Sequence, residues 1–497
     1  MDNKTKYWLL GIFLLTLTVR LLLAFLIPNF TYESYFHLRQ VQHITETGLP
    51  LYHDFLSYGG RELVFLPFFH YFMSFFDLLL PLELAAKLIP NILMALLTVI
   101  IYFISKKITN HDTSSLISAF IAGFLPVLAT PNNFVPETLF LPLIFFTIYS
   151  FLNLSEKKYL YLYLTSFILL SLTSSAAFLM LMGFGIYLLL SFLEERQIKP
   201  EEKEVMLFSL FMFIWLQFLF FKKVLITYGI SFIWQNIPPA ILLEYFPHLS
   251  IPSAIVLVSV IPFLAGIWVV YQSLFQVKSR KMFLLISLVI ATTILAWFRL
   301  LRFNLSLSFF GITLAILFAL FYQDLAMYIE KTKLSSLKKC LLPLTLILLT
   351  LTIVPLTIGT ALKQSTPSTK ELAAFAWLKD NSPPDAGILS TLKEGHLVTY
   401  YSQRRNLMDD QFTLISNIEA RFNDLNHAYI TKFQTQALSV FDKYKINYLV
   451  LTPAAQLKYD LPGFNYLGES CFKTQYDEET KIYHVECALT SPLGDEK

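Results

Sequence analysis

The chain is short of charge. Only 15% of its 497 residues are Asp, Glu, Lys or Arg, where an average soluble domain carries about 25%. With 55% hydrophobic residues and a mean hydropathy of +0.57, a water-soluble globule is excluded. Sustained apolar–polar alternation is also missing, which argues against a lipid-facing barrel. No basic–aromatic motif occurs, and the net charge of +3 is dispersed among loops, so no nucleic-acid partner is expected. No small-residue cleavage site precedes Pro28, and the first apolar run, Tyr7 to Ile27, reads as a retained helix. Internal repeats are absent, against a transporter built from paired halves.

What the chain has is apolar runs near the ~20 residues that cross a bilayer. They fall at 7–27, 83–104, 113–130, 138–154, 159–175, 177–193, 204–221, 252–275, 282–298, 305–328 and 340–362. Segment 65–81 is apolar too, but it contains Pro67, His70 and Asp77 and stops at Pro81. Charge decides its place. With 65–81 outside the bilayer, one side collects Lys4, Lys6, Lys106, Lys107, Lys157, Lys158, Arg196, Lys199, Lys203, Lys278, Arg280, Lys281, Lys331, Lys333, Lys338 and Lys339. The other side keeps few basic residues, which is the positive-inside pattern. The expectation is a polytopic α-helical protein of the cell membrane, with about eleven spans and a cytoplasmic N-terminus. Residues 1–362 would form the membrane domain, with an external loop at 28–82.

From 363 the character changes. "KELAAFAWLKDN" reads as a helix closed by "SPPDAG", "GILS" and "NYLVLTP" as buried strands, and "CFKTQYDEETKIYHVEC" as a hairpin. Residues 363–497 thus read as an extracytoplasmic α/β domain. Of the three cysteines, Cys471 and Cys487 lie symmetrically about "DEET", and the outer face permits a disulfide there. Cys340 ends a span and reads as packing.

The outer face gathers chemistry. "FTYESYFHLRQVQHITETGLP" places Glu33, His37 and Arg39 where the first span leaves the bilayer. Two readings of Glu33 stand: a cap interacting with the next helix dipole, or a general base or cation ligand at the mouth of the bundle. "PNNFVPE" puts Glu137 at a helix start, near Asn132 and Asn133, and "FRLLRF" puts Arg299 and Arg302 at the outer end of another span. Those arginines can hold a phosphate or simply snorkel. Arg20, inside the first span, can serve a phosphate site or pair with an acid. Acids together with arginines suit transfer from a phosphate-activated lipid donor, in which cations stabilise the departing phosphate and an acid activates the acceptor.

These stretches also carry a resemblance. "ESYFHLRQVQHI", "HDFLSYGGR" at 53–61, a helix between the first two spans, an arginine near the last spans and "AFAWLKDNSPPDAGILS" resemble the GT-C superfamily of polyprenyl-phosphate-dependent glycosyltransferases. Within it they are most similar to catalytic subunits of archaeal and bacterial oligosaccharyltransferases. The resemblance implies Glu33 as catalytic base or metal ligand and Glu137 as a second ligand for a divalent cation, Mg or Mn. It implies Arg299 and Arg302 on the donor phosphate, with His37 and Arg39 close by. Two departures are visible. The family's "FDNE" is "FVPE" here, with Val135 at the Asp position, and "TLKEG" at 391–395 replaces "WWDYG". The acceptor is therefore left open, and peptide glycosylation has no support. The family's external-loop acid matches either Gln235 or Glu244, and Glu394 and His396 either meet another acceptor or merely begin a helix. The expected function is a membrane glycosyltransferase that takes sugar from a polyprenyl-phosphate-linked donor. The alternative is a non-catalytic relative that binds lipid-linked glycans or assists another enzyme.

Overall fold

The computed structural model describes residues 2–232, 241, 250–276, 279–332, 338–468 and 470–489. Helix α1 (Asn3–Leu26) starts at Asp2, whose carboxylate accepts the Thr5 amide at 2.8 Å, and ends before Pro28. After α2 (Ser34–Thr47), Gly48 takes a left-handed conformation (φ 79°) and its amide reaches the Ile44 carbonyl. This is a helix stop that glycine makes without strain. A two-stranded ribbon, β1 (His53–Asp54) against β2 (Arg61–Glu62), follows. Segment 65–81 contributes α3 (Phe68–Asp77), whose ten residues are too few to cross a bilayer.

The bundle continues with α4 (Leu82–Thr109), α5 (Asp112–Gly123), α6 (Glu137–Leu152), α7 (Lys157–Thr173), α8 (Phe178–Leu193) and α9 (Pro200–Tyr228). Then come α10 (Ile251–Val258), α11 (Val260–Phe275), α12 (Arg280–Trp297), α13 (Phe303–Lys331) and α14 (Lys338–Leu362). Among the described residues seven helices are long and apolar enough to cross a membrane, and α10 with α11 makes an eighth if that pair, bent by 94°, is one span. The expected eleven runs all fall on helices, but α5, α6 and α7 have 12, 16 and 17 residues. The chain is an integral membrane protein whose spans differ in length.

Close packing depends on small residues. A Cβ on Gly183 of α8 would meet Leu288 of α12 at 2.5 Å, and one on Gly266 of α11 would meet Leu314 of α13 at 2.5 Å. The two leucine side chains can seat this closely only because glycine carries no side chain there. Among the described residues Arg20 pairs with no acid. It is buried, and it donates to Asn91 Oδ1 at 3.0 Å and to the Leu128 carbonyl at 2.8 Å, tying α1 to α4 and to the turn before α6. A buried guanidinium needs such partners, and here backbone and amide oxygens supply them.

The C-terminal part opens with α15 (Thr369–Asn381) and carries a five-stranded mixed sheet ordered β4–β3–β5–β7–β6. The strands are β3 (Gly387–Leu389), β4 (Arg405–Asn406), β5 (Ile446–Leu451), β6 (Phe472–Asp477) and β7 (Lys481–Val485). The expected strands and hairpin are present; the two-residue β4 was not anticipated. Cys471 and Cys487 are disulfide-bonded, and Cys340 is free and exposed. Helices α16 (Ile418–Ile430), α17 (Gln434–Tyr444) and α18 (Pro453–Tyr459) complete this part. It shares an apolar core with the 28–82 loop: Tyr35, Leu38 and Phe69 pack with Phe375, Ile388 and Val398.

Glu371 sits at this seam. Ser368 and Glu371 form a capping box, and the Tyr32 hydroxyl donates to the Glu371 carboxylate at 3.1 Å. Burial, then the nearby Glu394, pushes the Glu371 carboxyl from 4.5 up to about 8. The folded chain therefore keeps a proton that the unfolded chain loses, and stability falls as pH rises from about 5 through 8. Glu371→Gln keeps both hydrogen bonds and removes the charge. At pH 9 it should melt higher than the parent, by about 1–2 kcal/mol, well under the ~5 kcal/mol ceiling of the full shift. At pH 5 the two should coincide. Thermal melts across this range check it, and a variant that melts lower at pH 9 contradicts it.

Candidate active site

The turn "PNNFVPE" is stitched to the end of α1 and the start of α2. Asn132 Nδ2 donates to the carbonyls of Ala24, Ile27 and Asn29. The Phe134 amide donates to Ser34 Oγ at 2.8 Å, and Thr31 Oγ1 donates to Asn133 Oδ1 at 2.8 Å. These bonds satisfy backbone groups that the two helix termini leave open. They also fix Glu137, first residue of α6, beside Glu33, which precedes α2.

Glu33 occupies the cap position but makes no capping bond; its carboxylate turns to Arg302. Arg302 Nη1 donates to Glu33 Oε1 and lies 3.8 Å from Glu137 Oε1. Residues 33, 137 and 302 thus meet at one point, with Glu33 at the cap position but without a cap hydrogen bond. Both glutamates keep about a quarter of their side-chain surface, 26% and 23%. Burial raises the Glu33 carboxyl above its ordinary range; Arg302 pulls it down, and Asp410 and Glu137 push it further up.

Asp410 and His396 were missed as part of this group. Asp410 Oδ1 lies 2.6 Å from His396 Nε2, and the His396 ring packs 5.4 Å from Phe36 on α2. Burial opposes protonation of His396, but Asp410 and Asp409 outweigh it and raise its pKa. His396 was noted in "KEGHLVTYY", and the structure separates it from Glu394. The latter turns inward, accepting from the Thr391 amide at 2.9 Å and from Thr452 Oγ1. Glu394 is a structural acid at the start of a short turn.

Of the other expected donor-binding residues, His37 lies near enough to Arg302 to feel its charge. Arg39 is held by Asp54 through two parallel bonds of 2.7 and 2.8 Å, so it braces the loop rather than facing Glu33. His37 is buried against His70, with Nδ1 and Nε2 2.9 Å apart. Burial, then the His70 neighbour, holds His37 well below its usual pKa, and burial takes His70 to about 3. Both imidazoles pack among Phe36, Phe65 and Phe69. Arg299 adopts a left-handed backbone (φ 56°) with an exposed side chain, and among the described residues no bond holds that side chain. Gln235 and Glu244 lie outside the described residues.

Among the described residues Glu137 Oε2 is buried with no hydrogen-bond partner, an oxygen that a cation would satisfy. His396, Asp409 and Asp410 also cluster, with ligand atoms within 4.8 Å of one another. There, however, Asp409 already accepts from Ser57 Oγ at 2.6 Å, from Asn406 Nδ2 at 3.0 Å and from the Gln411 amide at 3.0 Å. Val135 is buried and contributes no ligand.

Comparisons with known proteins agree with this architecture. Residues 66–218 match the family described as dolichyl-phosphate-mannose-protein mannosyltransferase. Dolichyl-phosphooligosaccharide-protein glycotransferase 2 of Archaeoglobus fulgidus is 33% identical over 137 residues, 26% of this chain and 23% of that protein. The chain therefore aligns with under a quarter of that relative's length. The structure of oligosaccharyltransferase AglB from the same organism, in complex with an inhibitory peptide and a dolichol-phosphate, superposes with a TM-score of 0.66 at 15% identity, covering 90% of this chain and 70% of that one. A further structure of an oligosaccharyltransferase from that organism is a complex with Zn and sulfate. ArnT from Cupriavidus metallidurans, bound to undecaprenyl phosphate, superposes with a TM-score of 0.57 at 11% identity, covering 99% of this chain and 100% of that one. The chain shares the fold of these oligosaccharyltransferase and ArnT structures, and its residues 66–218 carry the mannosyltransferase-family match.

Proposed function

We propose that the protein transfers a sugar from a polyprenyl-phosphate-linked donor to an acceptor, at the face of the membrane that bears the C-terminal sheet. The meeting of Glu33, Glu137 and Arg302 carries this reading. In the resting site Arg302 is occupied by Glu33. An arriving donor phosphate competes for the guanidinium, a strong charge-assisted partner, and frees the carboxylate. The acceptor then attacks the anomeric carbon, its proton passes to Glu33, and the bond to the phosphate oxygen breaks. Arg302 stabilises the charge left on the phosphate. A carboxyl raised by burial is a better base than an ordinary one, because its pKa lies nearer neutrality. Glu33 and Glu137 would hold the divalent cation, which when bound helps neutralise the leaving phosphate. His396 is oriented by Asp410, 2.6 Å from its Nε2. We place the N-terminus in the cytoplasm and the sheet outside, from the distribution of Lys and Arg.

Val135 and "TLKEG" favour a second reading, a relative that binds lipid-linked glycans without turning them over. A donor-turnover assay in proteoliposomes, with and without Mg or Mn, separates the two. Transfer or donor hydrolysis is expected. Donor binding with no turnover under any cation would leave the binding reading standing and overturn the enzyme.

A further inference from the structure

A second polar feature lies away from Glu33. Between the 53–62 loop and the edge of the C-terminal sheet is a cleft of about 220 Å³. Its chemistry comes from Arg405, Arg421, Lys443, Lys445, Tyr58 and Tyr444. Four cations line it, and among the described residues the one carboxylate paired with any of them is Asp424, 2.6 Å from Lys443.

The arginines are oriented but not neutralised. Arg421 Nη1 donates to the carbonyls of Tyr58 and Leu407 at 3.2 Å each. Its guanidinium stands 5.4 Å from the Tyr58 ring and 5.1 Å from the Tyr444 ring, which presets its plane. Arg405 donates Nη2 to the Asp385 carbonyl, and its Nε is buried with no partner among the described residues. Carbonyls satisfy N–H groups without cancelling a charge. Lys445 is exposed at a left-handed position (φ 54°), and among the described residues nothing holds its side chain.

The floor is bare. Gly387 pairs with Arg405 on one side and Ile446 on the other. A Cβ there would strike the Lys445 carbonyl at 2.1 Å, so the strands meet only with glycine and no side chain fills the space between Arg405 and Lys445. The walls are fixed as well. The Tyr58 amide donates to Asn406 Oδ1 at 2.8 Å, and its hydroxyl to the Asp409 carbonyl at 2.5 Å. Arg405 is five residues from Asp410, no more than roughly 17 Å of extended chain.

We propose that this cleft is an accessory anion site, separate from Arg302, that holds one carboxylate- or phosphate-bearing sugar of the glycan or acceptor. Preset cations with a single opposing carboxylate call for an oxyanion, and the volume admits one sugar-sized group rather than a chain. That the anion belongs to a sugar rests on the proposed transferase activity; the cleft's affinity for an anion does not.

The test is binding to the full-length protein in detergent, measured calorimetrically with glucuronate, glucose 6-phosphate, glucose and inorganic phosphate. Glucuronate or glucose 6-phosphate should bind and glucose should not, and the better of the two acids names the source of the charge. Combining Arg405→Gln, Lys443→Gln and Lys445→Asn should weaken that binding by about tenfold or more. Asn tolerates the left-handed position, so Lys445→Asn alone, expected to cost about two- to threefold, serves if the triple variant does not fold. Arg302→Ala should leave this binding unchanged, which separates the cleft from the donor site. Equal binding of glucose, equal binding of inorganic phosphate alone, undiminished binding by the variants, or loss on Arg302→Ala would each overturn the proposal. So would capture by anionic-lipid vesicles without any sugar-acid binding.

Discussion

Glu33→Gln abolishes sugar transfer, with a loss of about 10³-fold, inside the 10²–10⁴ range that a positioned proton acceptor contributes. The substitution conserves shape. Gln can still accept from Arg302 through its amide oxygen, and Arg302 keeps Glu137 3.8 Å away as counter-charge. The protein should therefore fold and melt close to the parent, so that lost turnover reports chemistry rather than unfolding. Donor binding should survive or tighten, because the guanidinium no longer has to be taken from a carboxylate. Glu137→Gln should cost less, since Glu137 stands further from the Arg302 nitrogen than Glu33 does. Transfer by Glu33→Gln at the parental rate would remove Glu33 from the chemistry.

Much of the scaffold was legible because its causes are local. Runs of apolar residues at bilayer length fall on helices, and Pro67 and Pro81 confine α3 to ten residues between them. The alternation around "DEET" forms the β6–β7 hairpin and brings Cys471 to Cys487. Span length was less legible. Hydropathy does not register where Gly and Pro end a helix, so α5 stops at Gly123, before Pro126 and well short of residue 130.

The site divides in the same way. Glu33, Glu137 and Arg302 could be named because each stands at a helix end on the side with few basic residues. What a given arginine pairs with is not a local property. Arg39 finds Asp54 fifteen residues on, and Arg20 finds Asn91 and the carbonyl of Leu128. Asp410 was invisible for a related reason. Its charge acts on Glu33 from a segment that Ser57 and Tyr58 dock against the 53–62 loop through Asp409, and "NLMDDQ" carries no sign of that docking. Acids flanked by an external loop's partner residues, rather than acids at helix ends, would be the signal to seek.

Arg302→Ala should cost about 10²–10³-fold in transfer, the scale for losing one preorganised charge stabiliser, and should raise the donor concentration needed for half-maximal rate. Arg302→Lys should recover only part of this, because an ammonium lacks the planar fork that grips a phosphate at two oxygens. The removal also exposes a repulsion. Glu33, Glu137 and Asp410 would be left facing one another, and Arg302 is the cation that draws the Glu33 carboxyl down. The two groups thus act as a unit, and their losses should not add. Combining Glu33→Gln with Arg302→Ala should be little worse than the poorer single variant, because the first substitution already removes the base that the second would mis-tune. Full additivity, with the double variant slower by the product of the two losses, would mean that Glu33 and Arg302 work on separate steps and that their contact in the resting site has no part in transfer.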